Sequence, residues 1–233
     1  MKTRKTILFN DSAGFRQIVQ WLERHERKPF DFQISTWEKI NEGQSGLVNA
    51  PTGFGKTYSV FLGTVIRYIN MHPESFGSQQ NIGLQLIWVT PLRALAKDIA
   101  LAMESALADM GIPWKVGIRN GDTSVAERQQ QKKKAPEILV ITPESLHLLL
   151  AQKGYPDFFG HLQVIAVDEW HELIGSKRGV LVELAVSRLV GLHKSQKSKV
   201  KRLTRSTIFP VIKRWLANLR PHSPLTIHKS LSL

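Results

Sequence analysis

The chain has 233 residues, of which 42% are hydrophobic and 22% are charged. That length suits one large domain or two small ones, and the composition excludes a collagen, a coiled-coil rod and a largely disordered protein. The sequence contains no cysteine, which excludes disulfides, thiolate metal sites and thiol catalysis. No apolar run approaches the roughly 18–20 residues of a membrane span, so we expect a cytoplasmic protein with no membrane partner.

Basic residues are concentrated at the carboxyl end of the chain. The net charge of +13 is typical of a nucleic-acid-binding protein. However, residues 184–233 hold eleven of the 32 Lys and Arg residues and none of the 19 Asp and Glu residues, so residues 1–183 carry a net charge of only +2. The excess of positive charge therefore lies in the tail rather than in the body of the chain.

Strand-like and helical segments alternate along the body of the chain. Apolar runs predict strands over residues 47–50, 84–89, 114–118, 138–141 and 164–167. Helices are predicted over residues 56–70 and 91–110, the second ending at Gly111 as a C-cap. This alternation favours an α/β fold with a mostly parallel, doubly wound sheet. Ligands of such sheets bind at the carboxyl ends of the strands, so we looked for chemistry in the segments that follow them.

A glycine-rich segment lies between the first predicted strand and helix. It reads A-P-T-G-F-G-K-T from Ala50 and matches the phosphate loop G-x-x-x-x-G-K-[ST], except that alanine replaces the first glycine. Gly53 and Gly55 allow backbone N–H groups to face phosphate oxygens. We expect Lys56 to bind the β- and γ-phosphates and Thr57 to offer its hydroxyl to Mg²⁺. The alternative is an ordinary glycine turn that caps a helix.

Two adjacent carboxylates follow the last predicted strand. Asp168 is expected to hold Mg²⁺, and Glu169 to orient and deprotonate the attacking water. An acidic helix N-terminus is the alternative. A zinc peptidase motif that begins at His171 would need a second histidine four residues later, where the chain has Gly175, so we reject it.

These segments resemble motifs I and II of superfamily 2 helicases. The chain is similar to the DEXH-box large helicase-related proteins, and most similar to the DNA ligase-associated DEXH-box helicases. Residues 30–37, 42–47 and 168–173 carry the resemblance, while Phe54 replaces a smaller residue of the family. The resemblance implies a RecA-like P-loop domain that uses ATP and Mg²⁺. It places Lys56 and Glu169 as catalytic residues, Thr57 and Asp168 at the metal, and an ATP site at Phe32, Gln33, Thr52, Gly53, Phe54, Gly55, Lys56, Thr57, Asp168, Glu169 and His171.

Three further segments resemble the strand-tracking motifs of the same family, and each follows a predicted strand. Their hydroxyls and helix N-terminal amides are suited to holding phosphates without reading bases. Single-stranded DNA is the expected partner, and RNA stays open because such contacts do not read sequence. Taken singly, each Thr-Pro pair is equally a helix start. The residues implied are Thr90, Pro91, Arg93, Gly121, Asp122, Thr123, Thr142, Pro143 and Glu144.

The resemblance covers about residues 28–193, and it divides the chain into three parts. We predict an N-terminal extension with a helix over residues 1–27, a RecA-like ATP-binding domain over 28–193 and a basic tail over 194–233. Family members continue into a second RecA-like domain that supplies arginine fingers, which residues 1–233 do not match. We therefore expect the N-terminal domain of an ATP-dependent DNA helicase, truncated and inactive as a helicase alone, with a link to ligase-associated DNA repair implied by resemblance.

Two other functions are compatible with parts of the sequence. One is a P-loop kinase or other NTPase unrelated to nucleic acid, which the acidic segment 168–171 argues against. The other is a nucleic-acid-binding protein that acts through its basic tail, where residues 209–219 predict a short amphipathic helix. The tail is interpreted either as such a basic arm or as the end of a truncated or frame-shifted gene.

Overall fold

The computed structural model describes residues 8–50, 55–73 and 82–200, with side chains described up to residue 193. The strands are β1 Leu86–Val89, β2 Val116–Arg119, β3 Ile138–Ile141 and β4 Val164–Val167. The helices are a 3-10 helix Phe9–Asp11, then α1 Ala13–Arg24, α2 Asp31–Asn41, α3 Lys56–Met71, α4 Arg93–Asp109, α5 Val125–Lys133, α6 Pro143–Leu150, α7 Tyr155–Phe158, α8 Trp170–Leu173 and α9 Lys177–Val200. The predicted tail helix 209–219 lies outside these residues.

Within the described residues, the four strands form one parallel sheet in the order β2-β3-β1-β4. Val89, the last residue of β1, is in register with Ile141 of β3 and Val167 of β4, and Arg119 of β2 is in register with Ile141. The strands therefore end together, and the segments that follow them lie along one edge of the sheet. The predicted parallel α/β class is confirmed.

The sheet separates two hydrophobic cores, as a doubly wound fold requires. The side chains of a strand alternate between its faces, so Leu86 and Trp88 enter the first core while Ile87 and Val89 enter the second. Helices α1, α3 and α4 complete the first core, and α6 and α9 complete the second. Burial on both faces explains why the strands read as continuous apolar runs rather than as alternating ones.

One predicted strand is wrong. Residues 47–50 form no strand in the structure. Leu47 is 63% exposed, and neither Leu47 nor Val48 belongs to either core. A short strand depends on its neighbours for burial and for hydrogen bonds, and among the described residues this segment pairs with no strand of the sheet. The strands predicted over 138–141 and 164–167 agree residue by residue with β3 and β4.

The predicted end of the second helix is confirmed. Gly111 follows the last residues of α4 with a φ of 68°, a left-handed conformation that glycine adopts without steric cost. Its N–H donates to the carbonyl of Ala108, and the N–H of Ile112 donates to the carbonyl of Leu107, which satisfies carbonyls at the helix end. The start of α4 is two residues later than predicted, at Arg93 rather than at Pro91.

The helix expected in the N-terminal extension is α1, and it packs into the first core. Ile18, Trp21 and Leu22 are buried there, and the indole N–H of Trp21 donates to Asp109 at the end of α4 at 2.6 Å. Residues up to His193 form one compact unit. In the described part of the chain, no helix combines the length and the hydropathy of a membrane span.

We predict that Gly14→Ala destabilises the protein by about 1–3 kcal/mol, the usual cost of overpacking. A Cβ atom at Gly14 would lie 2.5 Å from the carbonyl oxygen and 2.9 Å from the Cα of Ile66, so α1 and α3 would have to separate. Gly191→Ala in α9 is the matched control, because a Cβ there meets no heavy atom within 4 Å. Urea unfolding followed by circular dichroism measures both variants, and equal stability of Gly14→Ala and the natural protein would contradict this packing.

Candidate nucleotide and nucleic-acid site

The acidic segment begins where β4 ends, and its first carboxylate is held by two donors. The backbone N–H of Asp168 donates to the carbonyl of Val89 at 2.8 Å, so Asp168 is still bound to the neighbouring strand. The buried indole of Trp88 donates to Asp168 Oδ2 at 3.3 Å, and the N–H of Glu169 donates to Oδ1 at 3.0 Å. The carboxylate is thereby fixed at the carboxyl edge of the sheet.

Glu169 has an uncommon backbone conformation and a partner for its carboxylate. Its φ is 45°, in the left-handed region that residues other than glycine seldom adopt, and it lies immediately before α8. Its Oε2 atom lies 3.3 Å from Nδ1 of His171, whose Nε2 atom lies 3.3 Å from Glu172. Strained backbone of this kind occurs preferentially at functional sites. The structure therefore brings together Asp168, Glu169 and His171, three of the residues predicted for the ATP site.

The described end of the glycine-rich segment contacts α2. Gly55 has a φ of 77° and lies directly before Lys56, the first residue of α3. The side-chain amide of Gln33 donates to the carbonyl of Gly55 at 3.1 Å and accepts from the N–H of Phe30 at 3.0 Å. A Cβ at Gly55 would lie 2.9 Å from the Gln33 amide nitrogen, so both φ and space favour glycine. Gln33 thus connects α2 to the start of α3.

The other predicted ATP residues divide into described and undescribed ones. Phe32 is partly exposed and stacks on Phe30 with ring centroids 5.8 Å apart, and Thr57 is partly exposed in the first turn of α3. Helix α3 and Trp88, the partner of Asp168, belong to the same core and so lie on one face of the sheet. The predicted residues that lie outside the described ranges are Thr52, Gly53 and Phe54.

The donor atoms predicted at the metal are oxygens, the kind of ligand that Mg²⁺ binds. Among the described residues, no group of three or more His, Asp or Glu side chains is arranged to hold a metal. Mg²⁺ is usually held by one or two carboxylates together with phosphates and waters. Asp168 and Thr57 are the residues that would hold it, and the two N–H donors on Asp168 would orient that carboxylate.

Two of the predicted nucleic-acid residues use their hydroxyls inside the protein. Thr90 and Thr142 continue the sheet by one residue, since their N–H groups donate to the carbonyls of Ile141 and Arg119. Both threonines are buried. The Thr90 hydroxyl accepts from the N–H of Leu92 at 3.4 Å, and the Thr142 hydroxyl donates to Ser145 at 3.1 Å. Pro91 and Pro143, which follow them, are buried as well.

The loop after β2 is exposed and carries its own hydrogen-bond network. The Thr123 hydroxyl accepts from the N–H of Asn120 at 2.9 Å, and Asn120 Oδ1 accepts from the N–H of Asp122 at 2.9 Å. Arg93 from α4 lies over Gly121 and pairs with Asp122 at 3.4 Å. The structure therefore brings Arg93, Gly121, Asp122 and Thr123 together on one exposed surface.

Arginines that the sequence analysis missed support this loop. Arg128 of α5 donates to the carbonyls of Asn120 and Gly121 at 3.0 and 3.2 Å. Arg119 is buried at the end of β2, and burial, followed by the positive charge of Arg128, lowers its pKa. Arg119 and Arg128 lie on either side of residues 121–123 in the sequence, and this proximity could have identified them.

A third missed arginine joins two of the predicted strand-contact segments. Arg178, in the first turn of α9, donates through Nε to Glu144 and through Nη1 to the carbonyl of Pro91 at 3.2 Å. Burial raises the pKa of the Glu144 carboxyl, but hydrogen bonds from its own N–H, from Arg178 and from Thr142, together with the charge of Arg178, bring that pKa below its ordinary value.

The lowered pKa of Glu144 predicts a pH-dependent contribution to stability. Its ionised form stabilises the fold fully above the ordinary pKa of 4.5, and this contribution disappears as the pH falls through the lower folded-state pKa. Glu144→Gln should therefore be up to about 1 kcal/mol less stable at pH 7, a small effect because the pair is exposed to solvent. Urea unfolding from pH 7 to pH 3 measures the difference, with Glu183→Gln as the control. A difference that grows towards low pH would contradict the assignment.

The chain is similar in sequence to several helicases. It is 31% identical over 183 residues to the Lhr helicase/uracil glycosylase of Escherichia coli, covering 74% of this chain and 12% of that protein. It is also 31% identical over 185 residues to the ATP-dependent helicase Lhr-Core of Sulfolobus acidocaldarius, covering 77% of this chain and 20% of that protein. The chain thus spans a fifth or less of the length of these relatives.

Solved structures confirm the RecA-like fold. The helicase Lhr of Mycobacterium smegmatis, bound to ssDNA and AMP-PNP, matches with a TM-score of 0.65 and 31% identity over 78% of this chain and 23% of that chain. The DEAD-box helicase Mss116 shares the fold at 22% identity and a TM-score of 0.62, over 79% of this chain and 35% of that chain. The sequence also matches the DEAD/DEAH box helicase family over residues 30–211. Since that match covers most of the chain, the protein belongs to the DEAD/DEAH box helicase family.

Proposed function

We propose that the carboxyl edge of this sheet binds Mg-ATP and that the full-length protein couples ATP hydrolysis to movement along single-stranded DNA. The observation that carries the proposal is the position of Asp168. Its carboxylate lies at the edge where parallel sheets bind ligands, held there by Trp88 and by the N–H of Glu169. The helicase Lhr of Mycobacterium smegmatis, of which the structure holds ssDNA and AMP-PNP, supports both ligands.

Each residue of the proposed ATP site has a distinct task. Lys56 and the glycine-rich segment bind phosphates, while Phe32 and Gln33 are assigned to the adenine from the sequence resemblance. Mg²⁺, when bound by Thr57 and Asp168, neutralises charge on the phosphates. Glu169 orients the attacking water and accepts its proton. His171 holds the Glu169 carboxylate, because its ring nitrogen lies 3.3 Å from Oε2.

Thr52, Gly53 and Phe54 complete the proposed phosphate loop on the strength of the sequence motif. In that loop the backbone N–H groups, rather than side chains, would surround the phosphates. This assignment rests on the G-x-G-K-T pattern from Gly53 to Thr57.

The proposed strand contacts lie on the same edge. Arg93, Gly121 and Asp122 are exposed there, and the Arg93 guanidinium is offered to phosphates. Thr123 is partly exposed, and its hydroxyl is already bonded within the loop, so this residue supports the loop that carries the contact. The segments that begin with Thr90 and Thr142 contribute through their backbones, since their hydroxyls are buried. Such contacts do not read bases, so RNA is the second candidate strand.

We also propose that the 233-residue chain, assayed alone, hydrolyses ATP slowly. In related helicases an arginine finger from a second domain accelerates hydrolysis, and such fingers contribute a factor of about 10³–10⁵. The division at residue 193 and the association with DNA ligase partners are likewise proposed from the sequence resemblance.

Lys56→Ala should weaken ATP binding at least about tenfold, because the lysine charge on the β- and γ-phosphates is lost. Lys97→Ala, on the exposed surface of α4, removes the same charge elsewhere and should bind ATP as the natural chain does. Equilibrium titration with a fluorescent ATP analogue measures both variants. Unchanged affinity of Lys56→Ala would show that the phosphate loop is misassigned.

ATP turnover by the isolated chain tests the proposed dependence on a second domain. We expect slow turnover with little stimulation by single-stranded DNA, and a salt-sensitive DNA affinity that persists after deletion of residues 194–233. Phosphate release and fluorescence anisotropy measure these quantities. Rapid DNA-stimulated turnover with unwinding would contradict the first expectation, and complete loss of DNA affinity on deletion would favour binding through the tail.

A further inference from the structure

The turn between α8 and α9 is tightly packed and permits only glycine at one position. The Ser176 hydroxyl donates to the carbonyl of Leu173 at 2.8 Å and accepts from the N–H of Gly179 at 3.1 Å. A Cβ at Gly179 would lie 2.1 Å from the same Leu173 carbonyl oxygen. The first turn of α9 is therefore fixed directly against the end of α8, and the Ser176 hydroxyl connects the two.

This packing fixes the position of Arg178 relative to the acidic segment. Helix α8 starts directly after Glu169, and Arg178 lies beside Gly179 in the first turn of α9. From there Arg178 reaches Glu144, which follows β3, and the carbonyl of Pro91, which follows β1. One guanidinium thus joins both segments to α9, which packs against the end of α8 and so lies close in the chain to Asp168 and Glu169.

We propose that Arg178 is a positioning residue for strand binding. It sets the spacing between the segment after β1 and the segment after β3, and it connects both to α8. The proposal rests on the proposed function, because these are the segments to which we assign strand contacts. Arg178 itself makes no contact with the strand in this proposal.

The role of Arg178 depends on the shape of its guanidinium rather than on its charge. Its Nε and Nη1 atoms donate in two directions, one to a carboxylate and one to a backbone carbonyl. A lysine ammonium has its three donors on one nitrogen and no planar fork, so it cannot place donors at the separate positions of Nε and Nη1. The Arg178 and Glu144 side chains are each 43% exposed, so the ion pair adds little stability. We therefore expect Arg178 to affect the positions of the two segments rather than the stability of the protein.

A direct contact between Arg178 and a phosphate of the strand is the competing explanation. The variant Arg178→Lys distinguishes the two explanations. If Arg178 bound a phosphate, Arg178→Lys would keep most of the affinity, and Arg178→Ala would reduce the salt dependence of binding by about one ion. If Arg178 positions the two segments, the lysine and alanine variants should bind equally weakly, and the salt dependence should stay that of the natural chain.

The experiment compares Arg178→Ala, Arg178→Lys and a charge-matched control in the 233-residue chain. The control is Arg188→Ala, also in α9, where the guanidinium lies 4.3 Å from the ring of Tyr155. Affinity for a fluorescent deoxythymidine oligonucleotide is measured at several salt concentrations, and affinity for a fluorescent ATP analogue is measured alongside. We expect both Arg178 variants to lose about tenfold in DNA affinity, the usual effect of a residue that orients others. ATP affinity should stay within about twofold of the natural value, and the control should be unchanged.

Two results would overturn the proposal. One is natural DNA affinity in Arg178→Lys, whether or not Arg178→Ala also keeps it, and the other is an equal loss of DNA affinity in Arg188→Ala. Hydrogen exchange of the segments 90–95 and 142–146, without any ligand, gives a second measurement. Exchange should be faster in Arg178→Ala than in Arg188→Ala, and equal rates would also overturn it. Absence of DNA binding by the natural chain would instead refute the proposed strand binding, while hydrogen exchange would still report on Arg178.

Discussion

The parallel hydrogen-bond ladder continues one residue beyond the strands, and the site depends on this continuation. The N–H groups of Thr142, Thr90 and Asp168 donate to the last carbonyls of the adjacent strands. Because β3, β1 and β4 end in register, these three residues form a row along the edge of the sheet. A proposed metal ligand and the starts of two proposed strand-contact segments are thereby spaced by the sheet itself. From the core below this row, Trp88 donates to the side chain of Asp168. From α9, Arg178 donates to the carbonyl of Pro91, the residue after Thr90.

The fold was predictable where a segment is buried on both faces. Residues 138–141 and 164–167 read as continuous apolar runs because each faces both cores, and their predicted bounds agree with the structure. Gly111 marked a helix end because a left-handed residue is needed there. Residues 47–50 have a similar apolar pattern but belong to neither core. An apolar pattern of four residues does not reveal whether neighbouring strands are present to pair with it. For residues 47–50 the absence of such pairing in the described structure makes the difference between a strand and a loop.

Contacts within the candidate site were predictable where its residues are contiguous in sequence. Asp168, Glu169 and His171 are neighbours along the chain, and their contacts follow from that. The long-range contacts at this edge are different in kind, since Trp88 is 80 residues from Asp168 and Arg178 is 87 residues from Pro91. An isolated tryptophan in a strand, or an arginine near a helix start, has no local feature that identifies its partner. The burial of the Thr90 and Thr142 hydroxyls was equally hidden, because it depends on how each helix start folds back.

The packing of α1 has a consequence for anyone who shortens this protein. The sequence resemblance starts at about residue 28, and a shorter version designed from it would begin there. Such a version would lack Ile18, Trp21 and Leu22, so water would reach the surface of α3 that α1 covers, including Ile66 beside Gly14 and Tyr58, which stacks on Trp21. It would also leave Asp109 without its indole donor. We therefore expect a stable shortened form of this protein to need the first helix, although that helix belongs to none of the recognised motifs.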